Sequence, residues 1–232
     1  MLSEALEFPR RGDDWLQTVL IGGVLSILSF LVIPAILVNG YLVRTLRAAV
    51  EGESNPPAFD EWGDMLVDGV LVWVIELVYV GIPAFLMVVV VSSFVLVAGV
   101  STSMGATPEP GAGALVGGIV AVLFLLAVVV LLLVAAYLLP AALANFARTG
   151  EFAAAFHLRT IGQATLNVDY LVAVVLAIGV SIVLGTVGAM LSVILVGIFV
   201  LFYLQVVVYH LFGQGFARGL DLERTADGAT AD

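Results

Sequence analysis

The sequence predicts an all-α protein, a polytopic transmembrane helical bundle of about six spans, with five as the alternative. Three observations carry that reading: long stretches without charge, short polar segments in which the charge gathers, and a likeness among the flanks of successive apolar stretches. Apolar residues make up 62% and charged residues 11% of the 232-residue chain, whereas soluble domains run near half apolar and a quarter charged. No ionisable side chain other than Tyr occurs between Trp15 and Val43, Leu77 and Pro108, or Pro110 and Ala147. Each gap exceeds the roughly 20 residues that cross a hydrocarbon core.

The first apolar stretch opens at Trp15, after the lead-in Phe8-Pro9-Arg10-Arg11-Gly12-Asp13-Asp14. Glu4, Glu7, Asp13 and Asp14 spoil a basic n-region, so this segment reads as mature sequence and not as a signal peptide. The stretch is long enough for one tilted helix or for two short ones broken near Ser29 and Pro34. It closes on Tyr41-Leu42-Val43-Arg44-Thr45-Leu46-Arg47, with Gly52-Glu53 following.

The second stretch follows Phe59-Asp60-Glu61-Trp62-Gly63-Asp64 and ends at Asn145-Phe146-Ala147-Arg148-Thr149-Gly150-Glu151. Its middle, Thr102 to Gly113, reads as a turn between two long helices. The third follows Phe156-His157-Leu158-Arg159 and ends at Gly215-Phe216-Ala217-Arg218-Gly219-Leu220-Asp221. From Tyr170 to Ala217 only His210 interrupts the run, and a single helix of that length would extend roughly 70 Å. Two crossings are therefore expected, and Gly185-Thr186-Val187-Gly188 is the turn signal between them.

Overlaying these lead-ins and endings gives three repeated helical-hairpin units with interfacial amphipathic segments, at about 1–53, 54–151 and 152–221, inside one integral membrane domain of residues 1–221. Residues 222–232 form an acidic tail with little apolar surface to bury, expected to be disordered. All eight basic residues are Arg, and all lie on the lead-in or ending side. The positive-inside rule then puts both termini in the cytoplasm of a multi-pass cell-membrane protein. Pro34, Pro83 and Pro140 are expected to kink their helices.

The net charge of −10 argues against nucleic acid as a partner. An acid-rich, Lys-free polar surface suits a high-salt, haloarchaeal host. With no Cys, disulfides, thiolate metal sites and thiol catalysis drop out. No phosphate-binding loop, nucleophile elbow or zinc-protease motif occurs, so neither an enzyme nor a cofactor is expected.

Five residues form the candidate intramembrane polar site. Glu76 lies eight residues past Asp68, some 12 Å into its helix, where a carboxylate faces protein, pairs or titrates. Gln205, Tyr209, His210 and Gln214 make the second group, the i, i+4 spacing placing them along one helical sector. Only His157 remains as a second imidazole, so no metal site is expected. Gly113 and Gly117, and Ser181 and Gly185, have the spacing of close helix packing. Trp15, Phe59 and Trp62 are the interfacial anchors.

At Phe8 to Trp15, Gly40-Tyr41-Leu42-Val43-Arg44 and Pro57-Ala58-Phe59-Asp60-Glu61-Trp62, the chain resembles the haloarchaeal multi-pass membrane proteins grouped as domain of unknown function 4013. The likeness covers nearly the whole chain, to around Asp221. It implies archaeal origin, an integral membrane location and a single repeated-helix domain, and it brings no functional residues. The expected function is a non-enzymatic membrane-organising protein that binds lipids, or protein partners at the cytoplasmic face. The alternative is a small permease or channel using Glu76 and the His210 region.

Overall fold

A computed structural model describes residues 1–12, 14–103 and 112–222, with the side chains of 97–103 and 112–116 excepted. Among these residues every regular element is helical. The α-helices are α1 Leu2–Glu7, α2 Trp15–Ile27, α3 Val32–Glu51, α4 Trp62–Glu76, α5 Ile82–Ser103, α6 Ala112–Thr149, α7 Leu158–Thr165, α8 Val168–Leu191 and α9 Val196–Gly219. Five helical stretches have the length and hydropathy of membrane spans: Val32–Glu51, Trp62–Leu96, Gly117–Thr149, Val168–Ile194 and Val196–Gly219. Trp15–Phe30 is a shorter apolar helix of about 24 Å. The predicted helical membrane bundle, with five to six spans, is the structure observed. Asp13, residues 104–111 of the turn expected from Thr102 to Gly113, and the residues from Glu223 on lie outside the described residues.

The chain divides into two compact units, Met1–Ile75 with Tyr137–Asp232, and Glu76–Ala136. In the first unit α9 is the central element. Gly22 and Gly23 of α2 meet the rings of Phe202 and Phe199, while Phe8, just ahead of α2, stacks on His210, so α2 runs antiparallel to α9. Helix α3 runs parallel to it, with Val38 and Tyr41 clustered on Phe202 and Leu46 and Ala49 against Gly213. Helices α2 and α3 thus form a hairpin, broken over Leu28–Phe30 with Leu31 extended, as the Ser29 and Pro34 signals suggested. Helix α8 returns antiparallel to α9, Ala173 lying at Gly215 and Gly188 at Gly197.

The second hairpin turns later than the sequence indicated. Gly185 and Gly188 are helical, and the chain reverses at Ser192–Ile194 with Leu195 at φ 63°. The glycines serve packing: a Cβ on Gly197 would fall 2.0 Å from the Gly188 carbonyl oxygen, so these two backbones touch. Small residues in a membrane helix let neighbours approach more often than they end it.

Helix α3 crosses α4 on two further glycines. A Cβ on Gly40 would lie 2.0 Å from the Met65 carbonyl oxygen, and one on Gly69 2.0 Å from that of Ile36. The two helices therefore run antiparallel at backbone contact. Where α3 and α6 end, Gly52 and Gly150 take φ of 73° and 70°. The Glu53 and Gly150 amides donate to the Ala48 and Phe146 carbonyls, at 2.8 and 2.9 Å, closing both helices with left-handed caps.

Burial concentrates at one end of this unit. Tyr41, Val43, Leu46, Ala141, Ala142, Phe146, Leu211 and Phe216 are all buried there, together with Ala5, Ala155 and Ile161 of the short interfacial elements. At the opposite end the hairpin turns are bare, Phe30 being 79% and Val193 88% exposed. Apolar side chains on the outside of long helices are what a hydrocarbon solvent permits.

The expected kink sites resolve differently from one another. Pro34 is the third residue of α3, in the first turn, where an amide has no intrahelical acceptor to lose; it begins a helix and kinks none. Pro83 follows a π-helical segment, Leu77–Gly81, whose wider turn accommodates the missing donor and the ring. Pro140 lies inside α6. In the second unit α5 and the start of α6 bound an apolar cavity of about 330 Å³, with Phe94, Val95, Val122 and Leu125 among its walls.

Candidate functional site

The four polar residues of α9 divide between two faces. His210 and Gln214 turn toward the N-terminal segment. The His210 ring lies under that of Phe8, centroids 3.9 Å apart, and the residue is 3% exposed. Gln214 Nε2 donates to Glu4 Oε2 at 3.1 Å, and the Tyr203 hydroxyl donates to the Leu6 carbonyl. Ala5 packs with Val207 and Leu211, so α1 seals this sector as a cap. The Met1 ammonium lies 3.1 Å from Glu4; that contact first, and the Gln214 hydrogen bond second, hold the Glu4 carboxyl below its ordinary 4.5. Sequence reasoning missed the cap because a six-residue amphipathic helix has no reason to dock without its tertiary partner.

Gln205 and Tyr209 face the other way, into a cavity of about 490 Å³ between the α2–α3 hairpin and α9. Ser26, Ser29 and Asn39 complete its polar lining, and Val38, Leu42, Leu201 and Phe202 its apolar walls. The hydrogen bonds within it are local. Ser26 Oγ donates to the Gly22 carbonyl at 2.7 Å, Ser29 Oγ to Leu25 at 3.0 Å, and Asn39 Nδ2 to Ala35 at 3.0 Å. Gln205 is exposed. The cavity occupies the stretch of α9 from Ile198 to Tyr209, within a candidate membrane span and toward the bare hairpin turns. Asn39 and Ser29 were legible only as a helix-gluing amide and a break; no periodicity pairs them with Gln205.

Comparison with protein families supplies one match, to a family described as a protein of unknown function (DUF4013), over residues 27–193. The chain belongs to that family. The match runs from the end of α2 through the last residues before α9, so it includes Ser29 and the α3 wall of the cavity, while Ser26 and the α9 wall lie outside it. No curated protein and no solved structure matches the chain.

The remaining predicted residues of this DUF4013 chain fall in separate places. Glu76 ends α4 and is half-buried; it belongs to the second compact unit, whereas the α9 residues belong to the first. Trp15 and Trp62 are 38% and 43% exposed, in keeping with interfacial anchors. Phe59 is not exposed in that manner: its ring stacks on Tyr41 at 4.2 Å and lies 6.2 Å from Phe202, because the loop that carries it is drawn onto α3. Arg44 draws it there, pairing with Asp60 and, at 2.7 Å, with Glu61. Arg47 Nε donates to the Ala147 carbonyl at 2.7 Å, and Asn145 Nδ2 to Ala154 at 2.8 Å. The residues that end each apolar stretch therefore tie neighbouring elements together.

Of the predicted packing residues, Gly185 lies 3.6 Å, measured from an added Cβ, from Leu204 of α9, and Ser181 is partly buried on the same helix. A Cβ on Gly117 would meet nothing within 4 Å among the described residues. The side chain position of Gly113 lies outside the described residues. No group of three or more metal-ligating side chains occurs among the described residues.

Proposed function

We infer that the chain is a non-enzymatic integral membrane protein that binds lipid in the cavity between the α2–α3 hairpin and α9. One observation carries this reading: a cavity of about 490 Å³, within the 300–1,000 Å³ of ordinary small-molecule sites, is cut into the flank of a membrane-spanning helix. Its walls are apolar and its few polar groups uncharged, the combination that takes a chain with a small polar group. A permease path using His210 draws less support, since Phe8 covers the imidazole.

The host and the topology are part of the proposal. Polar segments with acids but no Lys suit a halophile. The likeness of the three lead-ins and endings supports an internal repeat, and the Arg distribution supports cytoplasmic termini in the cell membrane.

Lipid extraction and mass spectrometry of the purified protein test the reading, with Ala35→Trp as the comparison because Ala35 lines the cavity and a bulky ring fills it. Wild type is expected to retain lipid at a fixed ratio and the variant to lose it. Equal retention by both, or none by either, overturns the proposal.

A further inference from the structure

The cavity's hydrogen-bonding groups are partly spent, and what remains is selective. A serine hydroxyl has one proton to give. Ser26 and Ser29 give theirs to the carbonyls of Gly22 and Leu25, so toward the cavity they offer lone pairs alone. Asn39 spends one amide N–H on Ala35 and keeps its Oδ1 and a second N–H. Gln205 has no protein hydrogen bond among the described residues and offers both its oxygen and its N–H groups. These four side chains thus hold acceptors in excess, with amide donors beside them.

Charge is absent from the same surface. No Asp, Glu, Arg, Lys or His lines the cavity. Arg44 and Arg47 sit at the opposite end of α3, engaged with Asp60, Glu61 and Asp68. A phosphate or carboxylate entering here would be desolvated with no cation to meet it, and an ammonium with no carboxylate. A hydroxyl suits the site, since it donates one proton to an acceptor such as Ser29 Oγ or Asn39 Oδ1 and accepts from the Gln205 amide. Its attached chain would lie on Val38, Leu42 and Phe202.

We propose that the cavity selects a membrane-dissolved neutral lipid whose polar group is a hydroxyl, held by Ser26, Ser29, Asn39 and Gln205. This rests on the lipid-binding reading and adds the chemical class of the ligand. The experiment uses one chain with three polar groups: oleyl alcohol, oleate and oleylamine compete with radiolabelled oleyl alcohol for the full-length protein in phosphatidylcholine nanodiscs. Glycerol is a fourth competitor, to separate a lipid alcohol from a water-borne one.

The alcohol is expected to displace label at least tenfold more effectively than oleate or oleylamine, and glycerol not at all. Gln205→Leu, at an exposed position that leaves the packing intact, and Asn39→Leu are each expected to weaken the alcohol at least fivefold and to narrow the preference. If the three lipids compete equally while Ala35→Trp abolishes binding, the cavity holds lipid but does not read the hydroxyl, and this inference alone falls. If Ala35→Trp leaves label binding unchanged, the lipid-binding reading falls with it. Displacement by glycerol refutes a lipid ligand.

Discussion

Replacing Gly40 with Ala adds one methyl group where α3 and α4 touch backbone to backbone. The new Cβ would lie 2.0 Å from the Met65 carbonyl oxygen, against the 3.0 Å below which such contacts essentially do not occur. Relief to the 3.4 Å at which ordinary contact begins moves the two groups apart by about 1.4 Å. Overpacking of this kind costs about 1–3 kcal/mol, and the upper part of that range applies because the obstacle is backbone and cannot rotate away. Ala gains up to about 1 kcal/mol over Gly in helix propensity, leaving a net loss near 2 kcal/mol, or about 4–8 °C in thermal midpoint at this chain length. Gly69→Ala meets the Ile36 carbonyl at the same 2.0 Å and is expected to match it. The double variant should cost less than the sum, since one separation relieves both contacts. Gly179→Ala is the control, because a Cβ there meets nothing within 4 Å; it should be neutral or stabilising. Thermal unfolding in one detergent, followed by size-exclusion fluorescence, measures all four. Midpoints for Gly40→Ala and Gly69→Ala equal to that of Gly179→Ala would refute the backbone-contact argument.

Leu195 holds φ 63° in the turn between α8 and α9, a conformation costing a non-glycine residue about 1–2 kcal/mol, so Leu195→Gly should raise the thermal midpoint by a few degrees; a drop would show that the exposed leucine contributes packing. Glu4 has its carboxyl lowered from 4.5 in the folded state, so its contribution is full above the unfolded value and is lost as pH falls through the lowered one. Hydrogen-exchange protection factors of α1, corrected for the intrinsic pH dependence of exchange, should hold steady above about pH 5 and fall below it, a dependence that Glu4→Gln removes. Arg44→Gln, which leaves Asp60 and Glu61 without their shared partner, should expose the Gly52–Glu61 segment to protease several-fold faster with little change in the helical core. Single cysteines at Phe30 and Val193, both at bare hairpin turns, should label from the side opposite those at Glu53 and Gly150; labelling of all four from one side would exclude the two-hairpin arrangement.

Much of the architecture was legible because its signals are local. Charge-free runs announced the helices, and the endings that close on Gly52 and Gly150 fell where α3 and α6 stop. At Ser29 and Pro34 the sequence left one tilted helix or two short ones open, and the structure takes two, with Pro34 in the first turn of the second. The hairpin of α8 and α9 misled for a physical reason: Gly185 and Gly188 are punctuation in water but contact surface in a membrane helix, while the turn falls on Leu195, which has no turn signal. Spacing along α9 grouped Gln205 and Tyr209 with His210 and Gln214. Those residues lie within a 100°-per-residue wheel that one-dimensional reading cannot orient, and neighbouring helices send the pairs to different duties.

The amino-acid sequence by itself determined that this chain is a helical membrane protein and where its charge, its Arg residues among it, gathers between the apolar stretches, because hydropathy and charge act within a few residues of their source. Only the tertiary structure decided that α1 caps His210, that Phe59 packs inward on Tyr41, and that Ser26, Ser29 and Asn39 meet Gln205 around one cavity. Those outcomes depend on which faces of α2, α3 and α9 meet. Apolar side chains tolerate lipid and protein alike, so the choice fell to backbone contacts at glycines and to a few hydrogen bonds between residues far apart in the chain.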